Sequence, residues 1–174
     1  MMVKNNFKKV RITGASGSGK SYLGQKISSI MGLSLVSLDA VRYDFSTSHR
    51  FDNENRRSDD EMVELLKKFT VKDEWVIEGG YFWLTKDTFA DADVIIFLRP
   101  NFPKRFFNVF KRFFQKLFSG RYEGLFNFFS LISYNFNARR KWRERESFAL
   151  REYSGKIYFF SSADSALSWF VNQK

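Results

Sequence analysis

The stretch Gly14-Ala15-Ser16-Gly17-Ser18-Gly19-Lys20-Ser21 lies between a strand-like and a helix-like pattern, and it limits the fold of this 174-residue chain more tightly than any other feature. It reads G-x-x-x-x-G-K-[ST]: glycines where a backbone must curl around an anion, then a lysine and a hydroxyl. Upstream, Lys8 to Thr13 alternates polar and apolar residues with Val10 and Ile12 on one face, as a strand entering such a loop does. Downstream, Leu23, Ile27, Ile30 and Met31 fall at helical spacing, so the loop opens a helix whose N–H groups and dipole attract negative charge. Strand, loop, Lys-Ser and helix in this order favour a phosphate-binding P-loop over an incidental glycine-rich turn.

The remaining pattern extends the same theme. Leu33 to Asp39 reads as a second strand ending in a carboxylate, and a polar, turn-rich stretch follows. Ser58 and Glu61 form a capping box ahead of a helix with Met62, Leu65, Leu66 and Phe69 on one face. Glu74 to Gly80, Ala92 to Pro100 and Gly155 to Ser162 supply three more strands, and Ser162 to Gln173 a closing amphipathic helix. Strands alternating with helices predict an α/β fold, a three-layer sandwich with a parallel sheet covered on both faces. The length suits one domain, residues 1–174.

With no cysteine, disulfide scaffolds and thiolate metal sites are excluded. The first residues lack the apolar core of a secretory signal, and no apolar run approaches a membrane span, so the cytoplasm is the expected location. The only histidine, His49, lies in a polar loop and is assigned no role. Between Arg99 and Arg151 stand thirteen Lys or Arg against Glu123, Glu144 and Glu146, a surplus equal to the net charge of the whole chain, +10. That segment must meet polyanions or close over a phosphate-rich substrate. Within it, Phe106, Phe110, Phe113, Phe114 and Leu117 make a helical stripe bordered by lysines and arginines, and an uncharged run from Gly124 to Phe136 follows. A helical hairpin packed on the domain, forming a basic, Phe-rich lid over residues 102–153, is favoured over a membrane-surface helix.

In a P-loop, the backbone N–H groups of Gly14 to Ser21 cradle nucleotide phosphates, Lys20 reaches the β and γ oxygens, and the Ser21 hydroxyl coordinates Mg²⁺. ATP and Mg²⁺ are therefore the expected cofactors. Glu78 ends the third strand, where the carboxyl ends of a parallel sheet form the ligand crevice, and can hold Mg²⁺ through water or orient an acceptor. Asp39, at the end of the second strand, is the candidate base for an attacking hydroxyl. Arg105, Arg112, Arg139, Arg140 and Arg143 are candidates to neutralise charge on a transferring phosphoryl group.

The segments "RITGASGSGKSYLGQKIS", "LDAVRYD", "WVIEGGY", "ADVIIFLRP" and "ARRKWRERESFALREYSGKIYFF" together resemble the small adenylate-kinase-like P-loop proteins identified as DNA topology modulation proteins. The resemblance implies a five-stranded sheet of order 2-3-1-4-5, ATP and Mg²⁺ binding, and an arginine-bearing helical lid between strands four and five. Two departures stand out. The family reads Asp-Gly-Asn-Tyr where this chain has Glu78-Gly79-Gly80-Tyr81. Nucleoside monophosphate kinases also carry an arginine where this chain has Tyr81 to Trp83, which leaves Arg42 as the cation near the expected acceptor pocket. An acceptor with a hydroxyl, whether a nucleoside, a nucleotide or another metabolite, fits a small-molecule kinase. The alternative is a nucleic-acid-associated ATPase using residues 99–151, although no nucleic-acid-binding motif accompanies the charge. No obligate protein partner is expected.

Overall fold

The structure, a computed structural model, describes residues 7–46, 55–101, 103–105, 107–111 and 142–173. The strands are β1 (Lys9–Gly14), β2 (Leu35–Ser37), β3 (Trp75–Glu78), β4 (Val94–Leu98) and β5 (Ile157–Phe160), and they form one sheet of order β2-β3-β1-β4-β5. Every pairing is parallel, so the expected sheet and its strand order are observed. The helices are α1 (Lys20–Met31), α2 (Leu38–Arg42), α3 (Asp59–Thr70), α4 (Lys86–Asp91), α5 (helical residues 103–105 and 107–111), α6 (residues 142–153) and α7 (Ala163–Gln173).

A parallel sheet must be covered on both faces, and this one is. On one face Val10, Ile12, Val76 and Ile96 pack against Leu23 and Ile27 of α1 and Phe170 of α7. On the other, Ile77, Ile95 and Phe97 meet Leu38, Met62, Leu66, Phe82 and Phe89. The alternation in β1 therefore does not mark a wet face, because Arg11 and Thr13 are as buried as Val10 and Ile12.

Three sequence expectations are corrected. Ile30 is 40% exposed, because α1 turns Leu23, Gly24, Ile27 and Ser28 inward and brings its backbone close to the sheet. The second strand ends at Ser37, and the chain turns into α2, so Asp39 sits in the first turn of a short helix rather than at a strand end. In α5, Val109 is buried, whereas Phe110 of the proposed apolar stripe is 40% exposed.

Between α2 and α3 the ends of a loop are fastened together. Asp44 N–H donates to Asn55 O at 2.8 Å, Arg57 N–H donates to Arg42 O at 2.9 Å, and Tyr43 bridges Arg56. The Arg57 guanidinium covers the α2 carbonyls of Ala40 and Val41 and pairs with Asp44. The expected capping box then opens α3: Glu61 N–H donates to Ser58 Oγ, and Ser58 N–H to the Glu61 carboxylate.

Aromatic contacts seat α6 on the domain. Trp142 meets Phe97 edge to face, Phe148 packs edge-on against Phe82 and Trp83, and Tyr153 stacks on Phe89. Glu146 adds an ion pair with Arg99. His49, Phe106, Arg112, Phe113, Phe114, Leu117, the run from Gly124 to Phe136, Arg139 and Arg140 lie outside the described residues, and with them most of the expected hairpin. Among the described residues, no helix is long and apolar enough to cross a membrane.

Candidate active site at the carboxyl ends of β1 and β3

The loop after β1 needs glycine where the sequence supplies it. Gly17 and Gly19 have φ of +75° and +93°, in the left-handed region where a Cβ strains the backbone. Gly19 is the N-cap of α1, and among the described residues no side chain caps that end, so the first-turn N–H groups are left for an anion. Ser18 Oγ and Thr13 Oγ1 are buried here with no hydrogen-bond partner among the described residues. Lys20 Nζ reaches back to Ala15 O at 3.5 Å across the loop.

Strand register then assembles an oxygen cluster beside the loop. Ser37 of β2 is paired with Glu78 of β3, which places their side chains side by side on one face of the sheet. Ser37 Oγ donates to Glu78 Oε1 at 2.8 Å. Ser21 Oγ, from the first turn of α1, donates to the same oxygen at 3.2 Å. Three residues on, Gly24 lets α1 lie this close: a Cβ there would come within 2.8 Å of Leu35 Cδ1. Glu78 is thus 2% exposed, its carboxylate held by two hydroxyls at the mouth of the P-loop.

Beyond Glu78 the chain forms the Gly79-Gly80-Tyr81 turn. Tyr81 lies under the influence of Asp39, Tyr43 and Arg42, three residues of the segment after β2. Burial pushes its phenol well above the ordinary tyrosine range, and the Asp39 charge and a hydrogen bond with Tyr43 add to the rise. Asp39 itself is exposed at the opening of this region. Arg42 is buried and its Nη1 pairs with Asp59 Oδ1 at 2.6 Å, while its Nε is buried with no hydrogen-bond partner among the described residues.

The basic segment touches the site at two described places. Arg105 Nε donates to Ser16 O at 3.4 Å, Asn108 Nδ2 to Gly17 O at 2.9 Å, and Val109 packs on Gly17, so α5 lies along the P-loop. Burial lowers the pKa of the Arg105 guanidinium. From α6, Arg145 Nη1 approaches Gly80 O at 3.5 Å, and the Trp142 ring lies 3.6 Å from where a Gly80 Cβ would stand. Arg143 points to solvent instead; one residue pair along the helix reverses which arginine faces inward.

Ser37, Arg145 and Trp142 were therefore missed as site residues, as was Arg11, buried beneath β3. Arg11 had a readable signal, a charged residue in the strand leading into the P-loop, which a parallel sheet buries on both faces. For Ser37 there was none, since its role depends on strand register.

The donors Ser21 Oγ and Glu78 are hard oxygens, and no group of three or more His, Cys, Asp or Glu side chains that could hold a metal occurs among the described residues. Such a pair suits Mg²⁺, which keeps several waters and is shared between one or two protein oxygens and substrate phosphates.

No family model matches the chain, and no curated protein matches it. Among solved structures it is similar to shikimate kinase from Acinetobacter baumannii in complex with shikimate, at 12% identity over 97% of this chain and 96% of that one, with a TM-score of 0.61. Shikimate kinase from Bacteroides thetaiotaomicron is 13% identical over 95% and 97%, with a TM-score of 0.64. A gluconokinase from Sinorhizobium meliloti 1021 is 14% identical over 95% and 88%, with a TM-score of 0.53. The chain has the α/β fold of the small P-loop kinases.

Proposed function

We propose that this protein is a kinase that transfers the γ-phosphoryl group of ATP to a hydroxyl of a small metabolite, with Mg²⁺. The observation that carries the reading is the Ser21–Glu78–Ser37 cluster at the mouth of the P-loop, with Asp39 two residues beyond Ser37, Tyr81 three beyond Glu78, and those two close enough to interact. The backbone N–H groups from Gly14 to Ser21 would hold the phosphates, and Lys20 the β and γ oxygens. Ser21 would ligate Mg²⁺ and Glu78 would hold it through water. Mg²⁺, when bound, neutralises charge on the β and γ phosphates. The acceptor oxygen attacks the γ-phosphorus, its bond to the β-γ bridging oxygen breaks, and Asp39 takes the hydroxyl proton.

Arg105, lying on the loop, and Arg145, over Gly80, are the described arginines suited to offset charge during transfer. Arg112 and Arg139 remain candidates of the same kind, whereas Arg143 faces solvent. With one side of the Arg42 guanidinium held by Asp59, a hydroxyl of the acceptor is the group we take the crevice to address. The relatives in fold named shikimate kinase and gluconokinase support an acceptor of this kind. We take the resemblance to DNA topology modulation proteins as kinship in this kinase core. At least three basic residues of segment 99–151, Arg99, Arg105 and Arg145, engage the domain itself, which favours a lid over a nucleic-acid surface.

The test is ATP consumption by the wild type and Lys20→Ala against a panel of hydroxylated metabolites, nucleosides and nucleoside monophosphates, with DNA added separately. Acceleration by one small molecule, reduced roughly a hundredfold or more in Lys20→Ala, is expected for a residue that meets the transferring phosphate. Acceleration by DNA alone would overturn the kinase reading.

A further inference from the structure

Arg11 stands in the central strand, fully buried. Its neighbour Ile12 is the register partner of Glu78, so Arg11 points to the opposite face of the sheet from the Glu78 carboxylate. There the guanidinium lies 4.6 Å over the Phe89 ring and donates to neutral oxygens in every direction. Nε reaches Thr88 Oγ1 at 3.0 Å, Nη1 reaches Ile12 O at 2.6 Å and Ile77 O at 3.4 Å, and Nη2 reaches Gly79 O at 3.1 Å and Thr85 Oγ1 at 3.4 Å. Among the described residues it has no ion pair; burial lowers its pKa from the ordinary arginine range to about 9, and the Glu78 charge across the sheet offsets only part of that.

A cation in an apolar layer without a paired carboxylate is a poor stabilising device. Nor do most of its acceptors need it. Ile12 O already accepts from Gly79 N–H, Thr88 Oγ1 donates to Thr85 O, and Thr85 Oγ1 donates to Tyr81 O. What the fork does that no apolar side chain could is grip two carbonyls, of Ile77 and Gly79, that flank Glu78 in the chain.

We propose that Arg11 is a positioning residue for the catalytic crevice: from beneath the sheet it fixes the peptides on both sides of Glu78 and so holds that carboxylate between the Ser21 and Ser37 hydroxyls. The assignment rests on the kinase reading of the site. Among the described residues Arg11 makes no hydrogen bond to residues 15–21 of the P-loop, although it also holds Ile12 O in the strand that enters the loop, so metal-free nucleotide binding serves as the control for that side of the site.

The experiment measures binding of a fluorescent ATP analogue with and without Mg²⁺, together with thermal unfolding, for the wild type, Arg11→Met and Arg11→Lys. In Arg11→Met the metal-free affinity should stay within about threefold of wild type while the gain on adding Mg²⁺ falls roughly 10–100-fold, the usual effect of losing a group that orients a metal's protein partner. Arg11→Lys, which keeps a charge without the fork, should fall between the two. An unchanged Mg²⁺ gain in Arg11→Met refutes the proposal, whatever happens to its melting temperature, and failure of both variants to fold makes Arg11 a structural residue only. A wild type that binds no nucleotide refutes the kinase reading before any substitution is compared. One that binds nucleotide with no Mg²⁺ gain removes the metal role of Glu78, and that of Arg11 with it.

Discussion

Replacing Gly79 by alanine should unfold the protein at a clearly lower temperature than replacing Gly32, although both glycines have positive φ. Gly32 closes α1 at φ +70°, and a Cβ there meets nothing within 4 Å. Its replacement carries only the left-handed backbone term, roughly 1–2 kcal/mol. Gly79, at φ +145°, carries a backbone term of roughly 1–3 kcal/mol and a clash besides. Its Cβ would stand 2.5 Å from Leu38 Cβ, an atom next to the backbone of a fully buried residue that cannot swing aside. Forcing such an overlap in a packed core costs a further ~1–3 kcal/mol. For a chain of this length each kcal/mol lowers Tm by about 2–4 °C, so Gly79→Ala, at roughly 2–6 kcal/mol in all, should fall by about 4–24 °C, centred on ~12 °C, and Gly32→Ala by about 2–8 °C, centred on ~5 °C. Thermal unfolding followed by circular dichroism reads both. Equal losses would refute the packing argument and leave the turn after Glu78 fixed by backbone preference alone.

Two further outcomes follow from single contacts. Ser58→Ala removes the hydroxyl that accepts from Glu61 N–H and should lower stability by ~1 kcal/mol in a denaturant titration, with nucleotide binding unchanged. The Tyr81 phenol, raised by burial, keeps in the folded state a proton that the unfolded chain releases above about pH 10. Its contribution to stability is therefore present below that pH and lost as pH rises above it. Tyr81→Phe should lose less stability than the wild type between about pH 9 and 11, and equal slopes would count against this environment for Tyr81.

The sequence by itself determined the phosphate loop, because its chemistry is local: glycines at fixed positions, Lys20, Ser21 and an uncapped helix start lie within eight residues of one another. It also determined the layered α/β architecture and the Ser58–Glu61 cap, since hydrophobic period and capping are written in short windows. Tertiary structure decided what depends on register and on which side of a helix faces in. Ser37 reaches Glu78 only because β2 and β3 align those two residues, and a slip of one position would turn them to opposite faces. Arg42 was legible as a cation near the crevice, yet the approach of α3 commits it to Asp59. Arg145 rather than Arg143 meets the Gly80 turn because of the rotation at which aromatic packing seats α6. Arg11 reads in sequence as the polar half of an alternating strand. Its burial follows from a parallel sheet covered on both faces, but that its fork grips the carbonyls on either side of Glu78 depends on the register of β1 and β3.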